Sequence, residues 1–288
     1  MPKVSVVVPT MRIGGFDVLC NSLVSQTYKD FELVIADSLY KFRRNLVAER
    51  LTKLPFKVVH AEVSGSRFPI NEFCRVANTG LMGASGELVV FVVDYTWLNP
   101  TCLAKHVKFH VEHSGFGYLG VHRYRHLPAV ALTPSYGQVT VYDDTLSDRY
   151  AQNLEAGLHK ESMWSIFEKE LKQIDDLAVD QSLRDHKFNQ RSGNTDYRGF
   201  FAKNDSFKLA DVMSVGGWDE DLDGSHGYQD YALSSKLDTL LGVKWYQDTS
   251  NINEIVNPRS VLPCGKRIRS FDSNKQIWET KMARGFRE

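Results

Sequence analysis

Apolar residues, interrupted by Ser5 alone, run from Val4 to Val8 and stop at Pro9-Thr10. A β-branched run with no polar alternation is the pattern of a strand buried on both faces of a parallel sheet. Gly14-Gly15 then leads into Phe16, Val18, Leu19 and Leu23 at helical spacing, and a second apolar strand covers Phe31 to Ala36. Strand, helix and strand make one βαβ unit. The alternation continues with a helix at Phe42 to Leu51, a strand at Phe56 to His60, a helix at Asn71 to Leu81 and a strand at Glu87 to Val93. A helix at Leu103 to His113 and a strand at Gly117 to His122 follow Asn99-Pro100. This order predicts a doubly wound α/β sheet, mostly parallel and flanked by helices, whose ligands bind at the carboxyl ends of the strands. Those ends carry Thr10, Asp37 and Asp94.

Past His122 the periodicity weakens. Gln138 to Tyr142 reads as an edge strand, Glu161 to Leu183 as an amphipathic helix, and Arg184 to Arg198 as a polar loop. Phe200 to Phe207 reads as extended and Lys208 to Val215 as a short helix. Gly216-Gly217 is a turn, and a helix begins at Asp230 and runs to Leu241. The domain expected from this pattern covers 1–240, in two halves at 1–105 and 106–240. Residues 241–288 are read as a C-terminal extension. Its last 30 residues hold eight Lys or Arg against three acids, a basic tail.

Charge and cysteine content narrow the setting. Lys plus Arg equals Asp plus Glu at 35 each, so no net field draws the 288-residue chain to nucleic acid or an anionic membrane. Cys20, Cys74, Cys102 and Cys264 are far apart with no CxxC pair, which argues against a zinc site and a disulfide framework. The start, Met1-Pro2-Lys3-Val4, enters a strand directly with no signal-peptide pattern, and no apolar run nears the roughly 20 residues of a transmembrane helix. The expected location is cytoplasmic.

Three carboxylates are candidates for chemistry. Asp37 leaves the second strand, where it can accept from a nucleobase N–H or a ribose hydroxyl; the alternative is a turn cap. Asp94 leaves the strand Val90-Phe91-Val92-Val93, where it can hold a divalent cation, Mn or Mg, against a diphosphate; the alternative is a loop cap. Asp230 opens a helix after Gly227-Tyr228-Gln229, where the dipole keeps a general base ionised; the alternative is a simple cap.

Val4-Ser5-Val6-Val7-Val8-Pro9-Thr10, then Leu23-Val24-Ser25-Gln26-Thr27-Tyr28-Lys29-Asp30-Phe31-Glu32-Leu33-Val34-Ile35-Ala36-Asp37, resembles the opening of the inverting family-two glycosyltransferases, and the likeness returns near 199 to 240. The resemblance implies a GT-A fold, Rossmann-like, and a nucleotide-sugar donor, by default a UDP-sugar. It implies that Pro9, Thr10 and Asp37 line the nucleoside pocket, that Asn78 lies close to the donor, and that Asp94 leads the metal-binding DxD motif. On the acceptor side it implies Gly217, Trp218 and Asp219, with Asp230 as the catalytic base. His226, four residues before Asp230, is a second candidate metal ligand beside Asp94.

The chain departs from the family pattern at three places. DxD reads Asp94-Tyr95-Thr96, the Glu that normally precedes the base is Gln229, and Asp37-Ser38-Leu39-Tyr40 is followed by Lys41, Arg43 and Arg44. The acceptor expected from the family is a glycan. The alternatives are a hydroxymethylated base in DNA, contacted through the basic tail and Arg123-Tyr124-Arg125, and a nucleotide-sugar-binding protein without turnover.

Overall fold

The computed structural model describes residues 3–10, 16–65, 72–94, 96–126, 192–225, 227–257 and 271–286. Among them nine strands form one sheet: β1 (Val4–Thr10), β2 (Phe31–Asp37), β3 (Lys57–Glu62), β4 (Leu88–Phe91), β5 (Thr96–Trp97), β6 (Phe116–His126), β7 (Gly193–Thr195), β8 (Asp205–Lys208) and β9 (Lys244–Asn257). Their order is β3-β2-β1-β4-β8-β6-β9-β5, with β7 also paired to β9. Strands β1 to β4 are mutually parallel; β8 is antiparallel to both β4 and β6, and β6 and β9 are parallel.

The described helices are α1 (Phe16–Val24), α2 (Tyr40–Leu51), α3 (Phe73–Gly83), α4 (Cys102–Glu112), α5 (Leu209–Ser214), α6 (Gln229–Leu241) and α7 (Phe271–Ala283). Alternation along β1 divides the core. Val4, Val6 and Val8 pack with Leu19 of α1, Val47 of α2 and Leu103 of α4. Val7 packs on the other face with Ala77 of α3, Val212 of α5 and Leu233 of α6. Both faces of β1 are therefore largely apolar, which is why its sequence is a hydrophobic run interrupted by Ser5 alone. Pro9 stands beyond the last β4 partner of β1, which is Phe91 opposite Val7, so its missing N–H removes no bond from that ladder.

One buried acid belongs to the opposite edge of the sheet and is structural. Glu32 accepts from Ser5 Oγ at 2.8 Å, Ser85 N at 2.6 Å and Lys57 Nζ at 2.8 Å. Burial pushes its carboxyl up, but the bonds from Lys57, Ser85 and Ser5 prevail and hold it at about 2.

Two expectations change here. The boundary placed at 240 falls inside the fold, because β9 is an interior strand of the sheet. Its polar centre hides it from pattern reading: between the pairs Leu119–Gln247 and Val121–Ile252 the register shifts, and the extra residues of β9 form an irregularity. Asp248 in that segment accepts from the Tyr118 hydroxyl at 2.6 Å. The stretch read as extended over 200–207 is a turn followed by the short β8. Gln138 to Tyr142 and Glu161 to Leu183 lie outside the described residues.

Candidate active site at the carboxyl edge of the sheet

Parallel strands end together, and three polar residues meet where β1, β2 and β4 stop. Thr10 is paired in register with Asp37, and its hydroxyl donates to Asp94 Oδ2 at 2.8 Å. Asp37 accepts from Leu39 N at 2.8 Å and, on its other oxygen, from His60 Nε2 at 2.8 Å. All three site residues are buried. The sequence reading anticipated Asp37, Thr10 and Asp94; it missed His60, which lies in β3 opposite Ile35 and holds the Asp37 carboxylate in one orientation.

The DxD departure has a structural correlate. Thr96 is fully buried, and its hydroxyl donates to the Val93 carbonyl at 2.7 Å. That hydroxyl proton is committed to a bond within the fold. Among the described residues no group of three His, Cys, Asp or Glu is arranged to hold a metal. Asp94 is the one member of the motif left to serve, and His226 lies outside the described residues. A Mg-type ion is commonly held by one or two carboxylates with the remaining positions filled by substrate phosphate and water, so a single Asp fits such a centre.

Across the sheet, β8 carries a second group of residues to the same edge. Asp205 opens β8 opposite Phe91 of β4, and it accepts from Phe201 N at 3.0 Å and Lys203 N at 3.4 Å. Those amides flank Ala202, a non-glycine residue at φ +50°, so the carboxylate holds a left-handed turn closed. Asn204, next to it, donates to the carbonyls of Val121 at 3.0 Å and Asn251 at 2.8 Å, which pins the turn to β6 and β9. Burial pushes Asp205 up to about 7 against the pull of the two amides, and the nearby Asp230 pushes it further.

Asp230 stands in the first turn of α6 and retains partial exposure. Burial pushes its carboxyl up to about 7, and the Lys203 ammonium draws it part of the way back. Phe201, between these groups, lies 6.3 Å from the Tyr231 ring. A carboxyl poised near 7 with a route to solvent suits a general base, because it is both basic enough to take a proton and largely ionised at working pH. Replacement of Lys203 by methionine is expected to move the Asp230 titration upward and to lower activity at pH 6.5 severalfold; carbon-detected NMR of the labelled carboxyl and a pH–rate profile check both effects.

Gln229 accounts for the missing Glu. Its amide NH2 donates to the Ser225 carbonyl at 2.6 Å and the Leu222 carbonyl at 3.4 Å, while its oxygen accepts from Gly227 N at 2.7 Å. A carboxylate has no proton to give those carbonyls. Gln229→Glu is therefore expected to cost about 2–4 kcal/mol at neutral pH, less in acid where the carboxyl can donate, as read by denaturant unfolding at pH 5 and pH 8.

The residues expected on the acceptor side stand in a tightly held loop. Trp218 is 2% exposed and packs edge-on against Phe73 at 4.9 Å and Phe91 at 5.6 Å between ring centroids, so it offers no face to an acceptor. Asn78 holds that loop: its amide donates to Trp218 O and Glu220 Oε1, each at 3.0 Å, and accepts from Trp218 N at 2.8 Å. Its side chain is committed to the loop rather than turned to a donor. Gly217 sits at φ +64° with Asn78 against it, leaving no room for a side chain. Asp219 caps Asp221 N at 3.2 Å and pairs with Lys281 at 2.8 Å. Together these residues set the path of the loop that delivers α6.

Helix α7 lies on that loop, which the reading of residues 259–288 as a basic tail did not foresee. Lys281 pairs with Asp219 and Asp221, and Lys275 with Glu279, so part of the supposed basic surface is internally neutralised. Arg259, Lys266, Arg267 and Arg269 lie outside the described residues, and Arg123, Tyr124 and Arg125 are strand residues of β6 paired with Glu254, Ile255 and Val256. Cys20, Cys74 and Cys102 are buried and form no disulfide among the described residues. Among the described residues no helix is long and apolar enough to cross a membrane.

A half-parallel sheet with an antiparallel strand beside β4, and buried carboxylates where β1, β2 and β4 end, is the GT-A fold of glycosyltransferases. Solved structures of that class superpose on the chain. TarS from S. aureus matches 99% of this chain and 40% of its own at TM-score 0.56 and 14% identity, and its fragment 1–349 in complex with UDP-GlcNAc matches 99% and 68% at TM-score 0.57 and 14% identity. The mannosyltransferase PcManGT from Pyrobaculum calidifontis, in complex with GDP-Man and Mn2+, matches 90% and 59% at TM-score 0.52 and 17% identity. This chain thus spans about two fifths of the length of TarS. No family model and no curated protein sequence matches it.

Proposed function

We propose that this protein is an inverting glycosyltransferase that moves a sugar from a nucleoside diphosphate, most naturally a UDP-sugar, to an acceptor hydroxyl. The observation that carries the reading is the placement of Asp37, Thr10–Asp94 and Asp230 on one edge of a GT-A sheet. Asp37, fixed by His60, accepts from the nucleobase or ribose, and Pro9 and Thr10 close the pocket below it. Asp94, held by Thr10, faces the diphosphate. A divalent cation bound there would neutralise the leaving diphosphate, and Asp94 would hold it.

On the other side Asp230 takes the proton of the acceptor hydroxyl. The freed oxygen attacks the anomeric carbon, the bond from that carbon to the diphosphate breaks, and the nucleoside diphosphate departs with the electron pair. The attack comes from the face opposite the leaving group, which inverts the configuration. The carboxylates of the two halves stand on different strands and helices, so each can be preorganised independently.

The test needs no acceptor. Slow hydrolysis of UDP-glucose, UDP-GlcNAc and GDP-mannose is measured with Mn2+, with Mg2+ and with chelator. Release of one diphosphate well above the uncatalysed rate supports the reading. No binding and no turnover with any donor under any ion condition would overturn it in favour of a protein without a donor site.

A further inference from the structure

Beside the candidate base lies a group of aromatic rings that donor binding and proton transfer leave unused. Tyr228 and Tyr231 flank Asp230 on α6, and Trp278 and Phe271 reach over from α7. Tyr228 lies 5.0 Å from Phe271 and 5.2 Å from Trp278, and Tyr231 lies 5.8 Å from Tyr228 and 6.3 Å from Trp278, between centroids. None of the four is buried, and Phe271 is 46% exposed.

The docking of α7 has polar anchors of its own. Asn274, fully buried, donates to the carbonyls of Leu222 and Gly227 at 2.9 Å each, and Lys281 reaches Asp219 and Asp221. These contacts hold the helix together with Trp278, which is partly packed against the core and donates from Nε1 to Ser235 Oγ at 3.0 Å. Tyr228 is also held at φ +67°, a left-handed conformation that a bulky residue rarely adopts. That conformation turns the chain into α6 and leaves the Tyr228 ring next to the first helical turn, one step from Asp230.

Charge indicates what such a surface takes. Among the described residues Lys281 is paired with Asp219 and Asp221, Arg198 with Asp196 at 2.7 Å, and Lys275 with Glu279 at 3.6 Å, while Lys203 acts on Asp230. A polyphosphate backbone would find few uncommitted partners there, whereas the C–H face of a neutral sugar ring packs on aromatic faces and its hydroxyls can meet those of Tyr228 and Tyr231. We propose that Tyr228, Tyr231 and Trp278 form the platform on which a neutral carbohydrate ring of the acceptor lies, with one hydroxyl directed at Asp230. The proposal rests on the transferase reading above and adds the acceptor class to it.

Saturation-transfer NMR on the full chain, with cellobiose, maltose and diacetylchitobiose as probes and a duplex carrying hydroxymethylcytosine as the competing class, tests it. At least one disaccharide is expected to bind, and Tyr231→Ala and Trp278→Ala to weaken it about tenfold or more, while Tyr231→Phe and Trp278→Phe stay within about threefold of the parent. Because Trp278 Nε1 also donates to Ser235 Oγ at 3.0 Å, thermal melts accompany each variant, and Tyr231→Ala decides if Trp278→Ala melts early. No disaccharide binding, alanine variants that bind as the parent does, or binding of the duplex alone would overturn the platform. Donor hydrolysis by the parent protein separates the two levels: if it persists while sugar binding fails, only the platform falls, and if it is absent, the transferase reading falls with it.

Discussion

Asparagine at position 230 is expected to lower the rate of sugar transfer by about 10²–10⁴-fold, the usual contribution of a positioned general base. The substitution preserves shape and removes only basicity, so binding of the nucleotide sugar, measured by calorimetry, should change little. If the proposed role of Asp230 holds, kcat/KM of the parent protein is expected to rise with pH through a midpoint at about 7, since burial holds the Asp230 carboxyl there and a base must be ionised. Stability has the opposite slope. A carboxyl raised in the folded state binds more protons folded than unfolded between roughly pH 4 and 7, so it costs the fold stability as pH rises through that window. Asp205 and Asp223, both pushed up to about 7 chiefly by burial, act in the same direction. Asp230→Asn removes one such group, and its Tm should exceed that of the parent at pH 8 while matching it more closely at pH 5. Loss of activity combined with gained alkaline stability is the signature of a residue retained for chemistry. A variant as active as the parent would remove Asp230 from the mechanism.

The parts of this molecule that are legible from sequence are those where one physical demand dominates. Strands β1, β2 and β4 lie between two layers of helices, so nearly every position is apolar, the buried Ser5–Glu32 pair apart, and the runs announce themselves. The polar residues that end them are equally visible, because a carboxylate directly after such a run stands at the sheet's carboxyl edge whatever else it does. What cannot be read is pairing across the chain. His60 is legible as the end of a strand but not as the partner of Asp37, and Asp205 looks like any turn acid until β8 brings it beside β4. Trp218 is a related case: the sequence leaves open a ring that stacks on an acceptor and a buried core ring, and the packing of Phe73, Phe91 and Phe200 around it gives the second. Strand β9 and helix α7 are obscured by their own chemistry. The first buries polar side chains at an irregularity, and the second presents few apolar residues, chiefly Ile277 and Trp278, to the fold. Gln229 is the reverse case, a departure from pattern that became interpretable once the two carbonyls facing its amide were seen.

Asp94→Asn isolates the donor half in the same way. Thr10 needs an acceptor within the buried pocket, and an asparagine oxygen can still supply one, so the fold should survive with a Tm within a few degrees of the parent. What the substitution removes is the negative charge at the point where Thr96 has turned away. In a motif with two acids, one carboxylate can partly cover for the other; here Asp94 stands without that reserve among the described residues. Turnover of the nucleotide sugar is therefore expected to fall by roughly 10²–10³-fold, with the loss largest at limiting Mn2+ and partly recovered as the ion is raised. Thr96→Asp tests the same logic from the other side. Its side chain would have to leave a fully buried position and abandon the bond to the Val93 carbonyl, so restoring the acid should cost stability and fail to raise ion affinity. If Asp94→Asn instead turns over donor as the parent does, with unchanged ion dependence, the diphosphate lies elsewhere and the donor site has to be sought away from the ends of β1 and β4.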